Sequence, residues 1–462
     1  MRADRINIDK FSFEYILECK GRKAFNEHGY LIIKGVIKKE REAECLKAAR
    51  SKDAVHVTVT GADGEEMNVF HGILYESLFR YENGVIILQI HLKTGSYLAD
   101  IKKHIRSFQK ECNDYYSIAK ECLMKYDRGN FLIGRIEPAE TKEFLMQYQE
   151  TDWEFLKRVV SISNSVLLPD DETGDVKMYL GIPKFKNIDE IKSDSFCLHR
   201  YGHEGRGSKN ELGKDGNFWV YEVTEREIYK VGQQIYFNGM KLIIYAMDIN
   251  FTGSELIHTY YLTAESAIAV NRTYNPCLSG NSITARVSGV ARDKVTIDID
   301  MDENNQADKR EFQYATIYSS PDGAGWYCMP EIGDKVRFRF PTEKETDAYV
   351  ESSVHLQENM DVRKNPEEKS IMNRQKKEIL FTPNSLILTN NNGISIELSD
   401  EQGIKIMSNK SIMLKASQTI QMNSDSGEIE ITAAKSIDMR QGSAQLQIAD
   451  KIQMAGGKIN LN

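Results

Sequence analysis

Cys197, His199 and His203, in the run CLHRYGH, are the one Cys/His group in this sequence that resembles a metal site. Thiolate and imidazole both bind zinc, and three such ligands leave a position for water. No fourth ligand accompanies them, nor does a general base in a recognisable motif, so a structural or surface role outweighs a metal centre. Two acidic pairs, Glu121 with Asp127 and Glu150 with Asp152, could divide acid and base roles in hydrolysis. Among 68 acidic residues such neighbours arise by number alone, so solvated surface is the better reading. GxSxG, P-loop and HExxH motifs are absent. Trp153, Trp219 and Trp326 each sit in an apolar pattern, which suits core or subunit contacts more than a binding platform. The expectation is a protein that is not an enzyme, with no catalytic residue, no metal and no cofactor.

The elements around these residues carry more information than the residues do. The chain has 462 residues, 41% of them hydrophobic and 28% charged, enough for a sizeable core and about three domains. Net charge is −8 with acids and bases mixed, so no basic stripe points to nucleic acid. Seven scattered cysteines without paired spacing suit reduced thiols and synthesis in the cytoplasm. The start, MRADRINIDKF, lacks the apolar stretch of a signal peptide, and no apolar run is long enough to span a membrane as a helix. A protein of this kind working outside the cell would leave by another route.

The last eighty residues repeat one phrase, an apolar pair at i and i+2 followed by a polar turn. It recurs at Leu386/Leu388, Ile394/Ile396/Leu398, Ile404/Ile406, Ile412/Leu414, Ile420/Met422, Ile429/Ile431, Ile437/Met439, Leu446/Ile448, Ile452/Met454 and Ile459/Leu461. Period two places each pair on one face of a strand. Starts about eight residues apart give one strand and one corner, hence one side of a prism. Two or three inward side chains per strand are too few for a core alone. The spacing therefore favours three chains that each supply a side, ahead of a single-chain solenoid. At roughly 4.8 Å per strand such a shaft is about 45–50 Å long. The residues expected in its three-chain core are those from Ile394 to Leu461 just named, apart from Leu398.

Upstream, residues 357–380 form a charge-rich linker, and 381–462 the needle. Residues 281–356 hold five short strand patterns (ITARVSGV, KVTIDIDM, EFQYATIYS, KVRFRFP and DAYVESSVH), which suit a small closed barrel. Residues 1–270 mix strands with helices. VHVTVTG, VFHGILYESLF and VIILQIHL read as a meander, and QQIYFNG, KLIIYAMDI and ELIHTYYLT as a second strand-rich block. Asp114–Lys125 reads as a helix. Thr151 and Glu154 have capping-box spacing before a second helix with Trp153, Leu156, Val159 and Val160 along one stripe. Phe70-His71-Gly72 and Phe237-Asn238-Gly239 hint that the two strand blocks are duplicated barrels.

This order of parts resembles VgrG proteins and the hub-and-spike of contractile phage tails. The likeness covers nearly the whole chain and is most specific at 70–109 and 144–170. There Tyr148, Gln149, Glu150, Asp152, Trp153, Glu154, Phe155 and Arg158 match a family phrase. Gly325, Trp326, Pro330, Gly333, Asp334 and Val336 look like the pattern of the spike's OB-fold barrel. The resemblance implies a mainly β, α+β protein: a hub of duplicated β-barrels, an OB-fold barrel and a trimeric β-helix. It implies a homotrimer that adapts a hexameric tube protein or tube initiator to a needle, sits among baseplate wedge proteins and pierces a target cell envelope. The protein would belong to a phage tail-like particle or secretion apparatus. Two departures stand out. The chain leaves no room for an inserted lysozyme or a following effector domain, and its shaft contains no histidine for a metal-bound tip. A separate PAAR-like tip protein docking on Ile459, Asn460, Leu461 and Asn462 is therefore expected. The rival functions are a tail-associated cell-wall hydrolase and a surface-glycan adhesin.

Overall fold

The structure is a computed structural model that describes residues 5–61, 64–138, 140–201, 218–252, 255–304, 308–353 and 365–458. The chain is mostly β and divides into two compact units, Met1–Leu356 and Gln357–Asn462. Among the described residues, no helix is long and apolar enough to cross a membrane.

In the first unit, β1 (Arg5–Ile8), β2 (Tyr15–Ala24), β3 (Tyr30–Ile37), α1 (Glu42–Arg50), β4 (Val55–Thr60), β5 (Glu66–Glu82) and β6 (Val85–Lys93) form the first block. The expected meander is present, and its β5–β6 turn is Asn83-Gly84, both at positive φ, as a two-residue type I′ hairpin requires. A middle segment follows with β7 (Lys103–Phe108), β8 (Asn113–Asp114), α2 (Tyr115–Leu123), β9 (Asn130–Ile133), β10 (Glu140–Thr141), β11 (Leu145–Thr151), α3 (Asp152–Ser161), β12 (Leu167–Pro169) and β13 (Lys177–Leu180). The second block comprises β14 (Asp189–Glu190), β15 (Phe196–Tyr201), β16 (Phe218–Glu225), β17 (Gln234–Phe237), β18 (Met240–Thr252) and β19 (Glu255–Thr263).

The two blocks build one continuous sheet, ordered β1-β4-β5-β6-β3-β2-β18-β19-β16-β15, with β17 on β18 and β14 on β17. Antiparallel pairing of β2 with β18 joins them. Alternation along the strands sends Leu31, Ile33, Leu88, Ile90, Ile243 and Leu262 into one buried core. The Phe-His-Gly and Phe-Asn-Gly phrases are not equivalent. Phe70-His71-Gly72 lies inside β5, whereas Asn238-Gly239 is the β17–β18 hairpin turn.

A separate core lies under the helices. Asp114 caps α2 by accepting from Ser117 N at 2.8 Å. At α3 both halves of the expected capping box form: Glu154 N donates to Thr151 Oγ1 and Thr151 N to Glu154 Oε2. The stripe of Trp153, Leu156, Val159 and Val160 is buried as expected. Trp219 and Trp326 are each about half exposed and join no core among the described residues.

A five-stranded sheet follows, with β20 (Ser282–Ala291), β21 (Lys294–Ile299), β22 (Glu311–Gln313), β23 (Lys335–Arg339) and β24 (Tyr349–Ser353) in the order β22-β21-β20-β23-β24. A parallel bridge between Tyr314 and Val350 brings the two outer strands together.

In the second unit, β25 (Lys369–Met372), β26 (Glu378–Thr382), β27 (Ser385–Thr389), β28 (Ile394–Ser399) and β29 (Gly403–Ser408) form an antiparallel meander. A second meander holds β30 (Ile437–Gln441), β31 (Ala444–Ile448) and β32 (Ile452–Ala455). The first meander begins at Lys369, inside the segment expected to be linker. The phrases at Ile412/Leu414, Ile420/Met422 and Ile429/Ile431 were expected to be strands, and in the structure they are not. A strand with two apolar side chains stands only with a paired neighbour, and between Asn409 and Ser436 this chain supplies none.

Candidate functional site

Two features stand out: a buried ion-pair junction in the first unit and an uncovered apolar sheet in the second.

The junction is built on the ribbon of β7 and β11 and on the start of α3. Gln149 has a φ of 52°, unusual for a residue other than glycine, and sits at a bulge where the β11 register shifts between Tyr148 and Glu150. Glu150 then receives Arg158 from two turns along α3, with Nε to Oε1 and Nη2 to Oε2 both at 2.8 Å. Arg158 also donates to Met146 O at 2.9 Å and to Glu345, in the turn before β24. All three charged side chains are buried. Burial pushes the Glu150 carboxyl up against the opposing pull of Arg158. Burial alone would weaken the Arg158 charge, but Glu150 and Glu345 outweigh it and hold the guanidinium well above its usual value.

One turn away, Asp152 accepts from Arg106, from Gln147 Nε2 at 3.1 Å and from Tyr126 Oη at 2.8 Å. Arg106 and Asp152 are each 1% exposed. His104 Nδ1 lies 2.7 Å from Glu303 Oε2, in the segment after β21. Ser107 N donates to Asp302 Oδ1 at 2.9 Å, and Asn304 Nδ2 to Ser107 O at 2.9 Å. Arg310 Nη2 donates to the carbonyls of Lys110, Glu111 and Lys142. The apolar side of the ribbon enters the five-stranded core. Phe144 packs edge-on against Phe312 and Phe338, with centroids 5.1 and 5.6 Å away, and Met146 is buried beside them. The core of β20–β24 is thus completed by residues from the middle segment.

This arrangement can hold two parts of the unit in one relative position. Glu150 and Asp152 are fully engaged by Arg158 and Arg106, so they serve the junction rather than the solvated surface expected of them. Glu121 pairs with Lys125 at 2.6 Å and Asp127 is exposed, in line with that surface expectation. The partners Arg106, His104, Glu303 and Glu345 were not singled out from sequence. Arg106 left one trace, a charge inside the apolar strand pattern HIRSF.

Of the CLHRYGH group, Cys197 and His199 lie two residues apart on β15, hence on one face. His199 Nε2 lies 2.8 Å from Glu222 Oε2 on β16. His203 lies outside the described residues, among which no three His, Cys, Asp or Glu side chains gather as metal ligands.

In the second unit the apolar phrases align across strands. Ile371, Ile379, Leu388, Ile396 and Ile406 stand opposite one another in one row, and Phe381, Leu386, Leu398 and Ile404 in a second. In the last meander Ile437, Ile448 and Ile452 form one row, and Met439, Leu446 and Met454 the other. Strand geometry puts both rows of a meander on one face. That face is uncovered in the single chain: Ile396 is 40% exposed, Ile404 70% and Ile452 67%. Ile412, Leu414, Ile420, Met422, Ile429 and Ile431 are all more than half exposed. Ile459, Asn460, Leu461 and Asn462 lie outside the described residues.

No protein-family model matches the chain, and no curated protein matches it. Solved structures do. The E. coli c3393 protein is described as a component of the type VI secretion system similar to the T4 bacteriophage tail proteins gp27 and gp5. It aligns at 12% identity over 76% of this chain and 100% of its own, with a TM-score of 0.51. The Francisella PdpA-VgrG complex in its half-lidded form aligns at 10% identity over 87% of both chains, with a TM-score of 0.57. A lidless PdpA-VgrG complex gives 10% identity, 87% of this chain, 98% of that chain and a TM-score of 0.58. The fold is therefore like that of VgrG-type and tail hub proteins, at low sequence identity.

Proposed function

We propose that this protein is the hub-and-spike subunit of a contractile injection machine, a mechanical part rather than an enzyme. Three copies form a closed axial device, the hub faces a hexameric tube protein or tube initiator, and the needle leads into the target envelope. The observation that carries this reading is the pair of apolar rows that run in register across each meander of the second unit and face solvent in a single chain. Monomeric proteins rarely leave so long an apolar strip uncovered. Three such faces turned inward would bury one another along an axis. The core then consists of Ile394, Ile396, Ile404, Ile406, Ile412, Leu414, Ile420, Met422, Ile429, Ile431, Ile437, Met439, Leu446, Ile448, Ile452, Met454, Ile459 and Leu461.

Other features agree with this reading. The order of β20–β24, with its parallel closing bridge, is what an OB-fold barrel requires, and it supports an OB-fold at 281–356 between a hub at 1–270 and the needle. The junction around Arg158 joins that barrel to the hub by buried charge and by Phe144, as a part that passes on an axial push needs. Baseplate wedge proteins around the hub and a PAAR-like tip protein on Ile459–Asn462 complete the assembly. Such a subunit belongs to a phage tail-like particle or secretion apparatus.

Mass in solution tests the reading, by sedimentation equilibrium of the full chain. The expected result is three times the 52.8 kDa chain mass. A monomer at micromolar concentration overturns it.

A further inference from the structure

A joint built on His28 links the first strand block to the head of α3. His28 lies in the turn between β2 and β3. Its Nδ1 is 2.8 Å from Ser96 Oγ and its Nε2 3.2 Å from Asp100 Oδ2, both in the short 3-10 turn Gly95–Asp100. Asp100 Oδ1 in turn accepts at 2.6 Å from the hydroxyl of Thr151, the residue that caps α3. The imidazole lies against the Trp153 ring, with centroids 4.1 Å apart, and meets Tyr97 edge-on at 5.7 Å. Three segments far apart in the sequence thus meet on one side chain.

The partners decide which nitrogen carries the hydrogen. An ionised carboxylate only accepts, so in the neutral ring Nε2 donates to Asp100 and Nδ1 accepts from Ser96. The Ser96 oxygen lies 2.9 Å from Thr94 Oγ1, which can donate to it. Thr94 and Ser96 are 1% and 0% exposed, and the His28 side chain 14%. A proton on Nδ1 turns that nitrogen into a donor and forces both hydroxyls to reverse, away from water. Asp100 favours that proton, whereas Lys93 and Lys157 oppose it. Glu27 and Glu154 bear on Lys157, and Tyr97 keeps its proton because burial pushes its hydroxyl up. Lys93 is held in place, with its Nζ 3.8 and 3.9 Å from the ring centroids of Tyr75 and Tyr97. Burial, with the two lysines behind it, pushes His28 below its ordinary value of 6.5 despite Asp100.

We infer that His28 is an acid-sensitive latch: the neutral ring fastens the 3-10 turn and the head of α3 to the first block, and a proton on the ring releases them. In the opened joint the ring meets water and returns to its ordinary value, so the opened form binds more protons. Opening is therefore suppressed above pH 6.5 and grows as the pH falls through the value His28 has in the closed joint. α3 also carries Arg158, so opening at its head separates the first block from α3 while the junction with Glu345 stays closed. The latch lies within one chain and does not depend on the proposed assembly.

Two measurements on the full chain test the latch between about pH 5 and 8. Exchange of the imidazole C2 hydrogen, followed by mass spectrometry, gives the midpoint at which His28 titrates. Amide exchange, corrected for its own pH dependence, gives the pH at which residues 94–100 and 151–157 open. The expected result is that His28 titrates below 6.5 and that both segments lose protection with the same midpoint. The loss should be roughly tenfold for each pH unit between that midpoint and the ordinary histidine value. His28→Gln keeps one donor and one acceptor without titrating, and should leave both segments equally protected at the two ends of the range. A His28 midpoint at or above 6.5 overturns the latch, as does protection that persists to the acid end. So does a His28→Gln protein that still opens in acid. Agreement of the two midpoints in the unaltered chain needs no variant, so it decides the matter even where the substitution fails to fold.

Discussion

At the residue scale, the acids that looked like possible catalysts are consumed by structure. Glu150 and Asp152 were visible as a pair, but two carboxylates two residues apart say nothing of their partners. Arg158 reaches Glu150 from the next elements of the same phrase, whereas Arg106 lies 46 residues from Asp152 and Glu345 lies 187 residues from Arg158. No local pattern can announce such a partner. Removing the cation while leaving both acids buried is costly, because neither carboxylate can reach water. Arg158→Leu should therefore destabilise the first unit by about 3–5 kcal/mol, read as a lower urea midpoint. Adding Glu150→Gln and Glu345→Gln should recover much of the loss. An unchanged midpoint in Arg158→Leu would show that the pair contributes nothing to holding the unit together.

At the element scale, helices and hairpins were legible because their signals are local. The Thr151–Glu154 box needs only its own turn, and Asn83-Gly84 and Asn238-Gly239 need only the φ tolerance of Asn and Gly. The ribbon of β7 and β11 was not legible as part of another domain's core. Its sequence alternates like any half-buried strand, and which core receives Phe144 depends on where β20–β24 lie. Phe144→Ala removes a ring wedged between Phe312 and Phe338, with an expected cost of about 3–5 kcal/mol. Hydrogen exchange should speed up most in β20, β21 and β23. If exchange there is unchanged while the rest of the unit loosens, Phe144 supports only the sheet and helices that precede β20.

At the scale of the whole molecule, the eight-residue phrase specified strands that share one apolar face in the two meanders, but not the segment between Asn409 and Ser436, where no strand forms. It also raised the need for other chains, since the apolar rows remain uncovered on one. Ile420→Asp is the sharpest probe, because Ile420 lies where this chain offers no strand partner of its own. Three aspartates brought together on a dry axis cannot stay ionised without large cost. Light scattering should show the variant shifted from trimer to monomer with the first unit still folded, and an unchanged trimer would place Ile420 outside the core. The repeat within the large sheet of the first unit was hinted at by sequence through the wrong phrases; the shared bulge at Tyr75 and Tyr245 reveals it through register. By itself the sequence determined what depends on neighbours a few residues apart: strand period, caps, turns and the repeat of the last eighty residues. Tertiary structure alone decided the sheet order that joins the two blocks, the partners of the buried charges and the edges left open. Those depend on contacts between segments far apart in the chain, and alternation of side chains is the same whichever strand lies alongside.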